Sequence, residues 1–133
     1  MPVIHITSEE QFNEYLNNKK TYQVASHSLE QMQVKYKYVL VDFYAKWCGP
    51  CKKISPTIEK FSEIYKSVAF LKVDVDELED LTHSYKIRGM PTFLLFETGS
   101  TKPAYSAIVG ADSTKIENLL KLVTEKAKPS DDF

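Results

Sequence analysis

The sequence predicts an α/β fold, with a central mixed sheet of five strands flanked by four helices; its first strands run parallel and its C-terminal hairpin antiparallel. Three observations carry this expectation. Short β-rich runs alternate with segments of helical periodicity in the order β, α, β, α, β, α, β, β, α. Tyr38 to Tyr44 is apolar except for Asp42, the pattern of a strand buried on both faces of a parallel sheet. The last two strand-like runs are joined through a Thr98-Gly99 turn and so form a hairpin.

Each element follows from local chemistry. Val3 to Ile6 is a short strand. Ser8 and Gln11 have the spacing of a capping box, and Phe12, Tyr15 and Leu16 then fall on one helical face that ends near Asn17-Asn18. After the central strand Tyr38–Tyr44, a helix carries Ile54, Ile58, Phe61 and Tyr65 towards the sheet, with Pro56 expected to bend it. Val68 to Val73 is the next strand. Asp76 and Glu79 read as a cap pair for a short helix through Leu81 to Tyr85. Thr92 to Phe96 and Tyr105 to Val109 form the hairpin, and Asp112 starts a final helix with Ile116, Leu119, Leu120 and Val123 inward. Lys121, Lys126 and Lys128 suit the negative end of its dipole.

The 133 residues suit one domain over positions 1–128, with a flexible tail at 129–133. One segment resists the scheme. Lys19 to Lys37 is polar and strand-poor, and reads as a loop with partial helix around Ser28 to Val34, an insertion at about 19–36.

Composition excludes several function classes. Hydrophobic residues at 43% and charged residues at 26% are ordinary for a globular chain, so disorder and low complexity are ruled out. Seventeen basic and eighteen acidic residues leave a net charge of −1, with no like-charge block, so neither nucleic acid nor an anionic membrane is an expected partner. Apolar runs such as Phe93 to Phe96 fall far short of the roughly 20 residues of a spanning helix. The N-terminus has neither the basic and apolar regions of a secretory signal nor the arginines of a transit peptide. A cytoplasmic, monomeric protein is expected, with an organelle form from a removed leader left open.

The only cysteines are Cys48 and Cys51, three positions apart, so a framework of several disulfides is impossible. Their place between a buried strand and a helix supplies a mechanism instead. Cys48 at the first helical position faces free backbone N–H groups and the positive end of the helix dipole, which favour the thiolate. Lys46, Lys52 and Lys53 act in the same sense. Cys51, one turn further in, can close a small disulfide ring and is expected to be better shielded, so Cys48 attacks and Cys51 resolves. A zinc site would need two further ligands, and His5, His27 and His83 lack the spacing; haem attachment would need a His where Lys52 stands. Against purely structural cysteines stand Gly49 and Pro50 between them and Trp47 before them.

The run Val41-Asp42-Phe43-Tyr44-Ala45-Lys46-Trp47-Cys48-Gly49-Pro50-Cys51-Lys52 resembles the active-site signature of thioredoxins, and Arg88-Gly89-Met90-Pro91-Thr92-Phe93 resembles their second motif. The resemblance covers residues 1–18 and about 37–126. It implies a thioredoxin fold and a protein-disulfide reductase that binds no cofactor itself, uses a reversible Cys48–Cys51 disulfide, and is recycled by a flavin-containing thioredoxin reductase at the expense of NADPH. Peroxiredoxins, ribonucleotide reductase and methionine sulfoxide reductases are the implied substrate types. Tyr44 stands where the family often carries Trp.

Supporting residues follow, each with its plainer alternative. Asp42, desolvated in its apolar strand, would take a proton from Cys51 through water, or merely hydrogen-bond within the core. Lys72 on the neighbouring strand is its expected charge partner, or a simple edge lysine. The resemblance implies a cis bond before Pro91, with the Met90 backbone free to pair with an extended substrate segment; Pro91 could also only start a strand. Trp47 offers a flat contact surface, or a core aromatic. Gly89 and Gly110 would let a partner approach the backbone. Two other functions stay open: a disulfide isomerase or oxidase, disfavoured because Pro50 stands where such relatives usually carry His, and a non-catalytic binding subunit, for which the insertion speaks.

Overall fold

The computed structural model describes residues 3–17, 19–23, 29–33 and 36–127. Its centre is the strand that the sequence marks most strongly. Strand β4 (Tyr38–Tyr44) pairs in parallel with β5 (Val68–Asp74) on one side and antiparallel with β6 (Thr92–Glu97) on the other. β1 (Val3–His5) adds in parallel to β5, and β7 (Ile108–Val109) adds antiparallel to β6. The result is the expected five-stranded mixed sheet in the order β1-β5-β4-β6-β7.

Alternation along β4 sends successive side chains to opposite faces, and each face has its own core. Val39, Val41 and Phe43 pack with Phe12 and Leu16 of α1 (Glu9–Leu16) and Leu81 of α3 (Glu79–Ser84). Leu40 joins Phe70 and Leu95 beneath Ile54, Ile58 and Phe61 of α2 (Gly49–Ile64) and Ile116, Leu120 and Val123 of α4 (Ser113–Ala127). Helices therefore cover both faces, as the apolar spacing requires, and α2 runs through Pro56 as one helix.

Caps fit the sequence at three of the helices. Ser8 Oγ accepts the N–H of Gln11 at 3.1 Å, while the Gln11 side chain turns back to the N–H of Thr7 at 2.8 Å, one residue further out than a strict box. Asp112 Oδ1 accepts the N–H of Lys115 at 3.0 Å and so caps α4. Cys48 is the N-cap of α2, one position before the first helical residue where the sequence puts it. The expected cap pair Asp76 and Glu79 is corrected: α3 starts after Leu78 with no side-chain cap, because Asp76 is engaged elsewhere. β7 is also shorter than expected, since the chain before it meets β6 only through a bridge between Phe96 and Pro103.

The largest correction is the insertion. Instead of a loop with partial helix, Lys19–Gln23 (β2) and Leu29–Gln33 (β3) pair antiparallel as a separate two-stranded hairpin. Leu29 and Met32 have helical spacing, but a hairpin makes its backbone hydrogen bonds across the pair and needs no apolar stripe. The expected turn residues around Ser28, and the tail Lys128–Phe133, lie outside the described residues. Both ends of the insertion are tied to one turn: the N–H of Gly99 donates to the carbonyl of Leu16 at 2.6 Å and that of Thr98 to the carbonyl of Lys37 at 3.1 Å. It therefore leaves from the start of β4, while the cysteines follow that strand's end.

Candidate active site

β4 ends at Tyr44, and Ala45-Lys46-Trp47 turn the chain into α2. The carbonyl of Ala45 accepts the N–H of Cys48 at 3.2 Å, which fixes the turn. Cys48 has extended backbone angles (φ −87°, ψ 114°), and its Sγ accepts the N–H of Cys51 at 3.2 Å. A sulfur thus occupies the place that a capping oxygen takes at other helix starts. Pro50 suits the first turn because an N–H there would have no intrahelical partner. Cys48 and Cys51 form a disulfide with their Cα atoms 5.3 Å apart.

The expected difference in shielding is corrected in this state: both cysteines are 5% exposed. Cys48 Sγ lies 3.6 Å from the carbonyl oxygen of Met90. The second motif therefore sits against the first. The bond between Met90 and Pro91 is cis, as the resemblance implied. The carbonyl of Pro91 accepts the N–H of Gly110 at 2.8 Å, and Gly110 has φ +104°, a backbone that favours glycine. Gly89 is different. A Cβ there would meet only Val109 Cγ1 at an ordinary 3.6 Å.

Trp47, next to Cys48 in the chain, is 67% exposed, and Val109, which pairs with Thr92 just after the cis proline, is 66% exposed, so two large apolar side chains of these segments face solvent. Trp47 is held from behind: its Nε1–H donates to Asp76 Oδ2 at 3.0 Å, and the N–H of Asp76 donates to Asp74 Oδ1 at 2.8 Å. Lys46 Nζ lies 3.8 Å from Asp74 Oδ2 and 3.5 Å from Glu77 Oε2, so it serves this acidic loop rather than the sulfurs. Sequence reasoning missed Asp74, Asp76 and Val109 as site residues. The acidic run Asp74-Val75-Asp76-Glu77 was the available signal.

Asp42 is 3% exposed, and its Oδ1 has no hydrogen-bond partner. Burial pushes its carboxyl up to about 7, against a smaller opposing pull from Lys72. Lys72 is thus the charge that acts on Asp42, as expected, but the two form no salt bridge. They are register partners on adjacent strands, yet the Lys72 ammonium donates to Ser55 Oγ at 3.2 Å and sits 4.5 Å over the Tyr44 ring. Burial, together with the charges of Asp74, Glu77 and Asp42, raises the Tyr44 phenol. A cavity of about 600 Å³ opens here, lined by Tyr44, Lys46, Cys51, Ser55, Pro56 and Lys72 among others. Among the described residues, no group of three or more His, Cys, Asp or Glu side chains is placed to hold a metal ion, and no helix is long and apolar enough to cross a membrane.

A disulfide-bonded cysteine pair at a helix start, a cis proline whose preceding carbonyl lies against one sulfur, and a buried acid on the strand that leads into the pair are the features that the two sequence motifs anticipated. The family model described as Thioredoxin matches residues 3–122. The chain belongs to the thioredoxin family. Thioredoxin-1 of Saccharomyces cerevisiae is 49% identical over 84 residues, which cover 63% of this chain and 79% of the yeast protein. Thioredoxin-2 of Pyricularia oryzae is 45% identical over 85 residues, but those make up only 48% of that longer protein. Among solved structures, a poplar thioredoxin h superposes with a TM-score of 0.75 at 33% identity, covering 93% of this chain and 97% of the poplar chain. The Nicotiana alata thioredoxin gives 0.72 at 35% identity, with 91% of each chain covered. Thioredoxins are protein-disulfide reductases, and the Cys48–Cys51 pair is the dithiol centre of that activity here.

Proposed function

We propose that this chain reduces protein disulfides with Cys48 as nucleophile and Cys51 as resolving thiol, and that a thioredoxin reductase using NADPH restores the dithiol. One observation carries the assignment of roles: Cys48 Sγ is the N-cap group of α2 and already accepts a backbone N–H at 3.2 Å. In the reduced protein the same N–H and the helix dipole stabilise a thiolate at that sulfur, which lowers its pKa and makes it the attacking group.

The steps balance in sulfur and charge. Cys48 thiolate attacks one sulfur of a substrate disulfide, forming a mixed disulfide and releasing the other substrate sulfur as thiolate. The S–H of Cys51 gives its proton to the Asp42 carboxylate. Cys51 thiolate then attacks Cys48 Sγ, so the mixed disulfide breaks, the second substrate sulfur leaves as thiolate, and the pair is left oxidised. Two electrons have passed to the substrate. The carboxyl of Asp42, pushed up to about 7 by burial, can both accept and return a proton near neutrality. The Met90 carbonyl lies 3.6 Å from Cys48 Sγ, Gly110 is hydrogen-bonded to Pro91, and Trp47 adjoins Cys48 in the chain; an extended segment of a substrate such as a peroxiredoxin, ribonucleotide reductase or methionine sulfoxide reductase would lie along these groups.

A Cys51→Ser protein tests the roles. It should accumulate substrates covalently on Cys48, released by dithiothreitol, while a Cys48→Ser protein traps none; trapping on Cys51 instead would reverse the assignment. In insulin reduction driven by a dithiol, equal rates for the native chain and a Cys48→Ser, Cys51→Ser variant would remove the reductase reading altogether.

A further inference from the structure

Asp42 and Lys72 stand opposite each other on adjacent parallel strands. Alternation from Leu40 and Phe70 puts both side chains on the face that α2 covers. Opposite charges so placed ordinarily meet. Here none of the ion pairs among the described residues contains Asp42 or Lys72, and Oδ1 of the buried carboxyl is unpartnered. The ammonium is held elsewhere, by a hydrogen bond to Ser55 Oγ at 3.2 Å and by the Tyr44 ring at 4.5 Å. Ser55 and Tyr44 line the same cavity as Cys51.

We propose that Ser55 and the Tyr44 ring are positioning groups that draw the Lys72 ammonium out of salt-bridge distance from Asp42, leaving its carboxyl able to exchange a proton with Cys51. The proposal rests on the reading of Asp42 as proton acceptor. Its chemistry is a matter of distance. An ammonium in contact would hold Asp42 as a carboxylate with little affinity for a proton, whereas with no cation nearby burial would keep it protonated and unable to accept one. A hydroxyl and an aromatic face satisfy the ammonium without a competing negative charge.

Other ionisable groups face this site from each side. α2 contributes Cys51, Lys52 and Glu59, and β4 contributes Tyr44. Lys46, in the turn before α2, is engaged by Asp74 and Glu77. β6 places the apolar Phe93 opposite Asp42. Of these groups, Lys72 is the cation that acts on the Asp42 carboxyl. Moving it is therefore the lever that Ser55 controls.

The test follows the Asp42 carboxyl by carbon NMR titration of the full chain, oxidised and reduced, alongside the pH dependence of release from a Cys48 mixed disulfide. In Ser55→Ala the freed ammonium closes on the carboxylate, and the Asp42 midpoint should fall by about one pH unit, with the release profile moving equally. Ser55→Thr keeps the hydroxyl and should restore the native midpoint. Lys72→Gln should raise the midpoint, and adding Ser55→Ala to it should then change nothing. An unchanged or raised midpoint in Ser55→Ala overturns the proposal, as does a Ser55→Ala shift that survives in the Lys72→Gln background. If the midpoints move as stated while release does not follow, the tether stands and the proton-acceptor reading of Asp42 falls.

Discussion

Replacing Asp42 by Asn should stabilise the oxidised protein above neutral pH and have far less effect in acid. The carboxyl lies in the middle strand with Oδ1 unpartnered, and burial raises its pKa from 3.8 to about 7. In the unfolded chain the same group releases its proton near the ordinary aspartate value of about 4. Between those values the folded state binds more protons than the unfolded one, so stability falls as pH rises through the window from about 4 to about 7. A gap of about three pH units at about 1.4 kcal/mol each amounts to about 4 kcal/mol, all of it lost by pH 8. Asn has no charge to bury. Whatever constant penalty its amide brings cancels when the variant is compared with the native chain at two pH values. Urea unfolding followed by circular dichroism at pH 8 and pH 4 should therefore give a variant-minus-native difference larger by about 3 to 4 kcal/mol at pH 8. A change below about 1 kcal/mol between the two pH values, or one of opposite sign, would refute the claim that a desolvated carboxylate sits in this strand.

Three further outcomes follow from the same geometry. Gly110→Ala forces a side chain into φ +104° and should cost about 1–3 kcal/mol in urea unfolding, since the N–H that holds Pro91 cannot be kept without strain. Asp76→Ala releases the Trp47 indole, and because that contact is exposed it should change stability by no more than about 1 kcal/mol. Its effect should appear instead as a several-fold higher KM for insulin, with the rate on a small aromatic disulfide unchanged. Deleting residues 19–35 behind a short Gly-Ser link should leave insulin reduction within about twofold, because both ends of the insertion meet one turn at the start of β4; a larger loss would give the hairpin a part in the reaction.

What the sequence made legible is what local rules govern. The apolar run Val39-Leu40-Val41, rich in β-branched valine, reads as a buried strand, and its single acidic interruption marked Asp42 before any geometry was known. Two cysteines three apart at a strand-to-helix junction, with proline between them, left redox chemistry as the simplest account. Where local rules compete with a distant partner they fail. Asp76 has the spacing of a cap for α3, yet its carboxylate receives the indole N–H of Trp47, 29 positions earlier, a contact that no local window contains. The pairing of Lys19–Gln23 with Leu29–Gln33 was missed for a related reason: the strands are specified by each other, and their pattern favours neither period strongly.

Lys72 shows where register stops being enough. Its pairing with Asp42 follows from the two parallel strands, and the inference that charge would meet charge was sound chemistry at the level of Cα positions. The side chain, however, has four rotatable bonds, and it ends on Ser55 and Tyr44, groups contributed by the helix and by the strand end. On the proposed role of Asp42 as proton acceptor, the lysine's reach sets the pH range in which that role works. A lysine one contact nearer would keep the acid ionised at lower pH, and its removal would leave the acid protonated further into the alkaline range. The strand supplies the acid and the base pair of positions; the first turns of α2, through Ser55, decide how far apart their charges stand, and hence near what pH Cys51 can be unmasked.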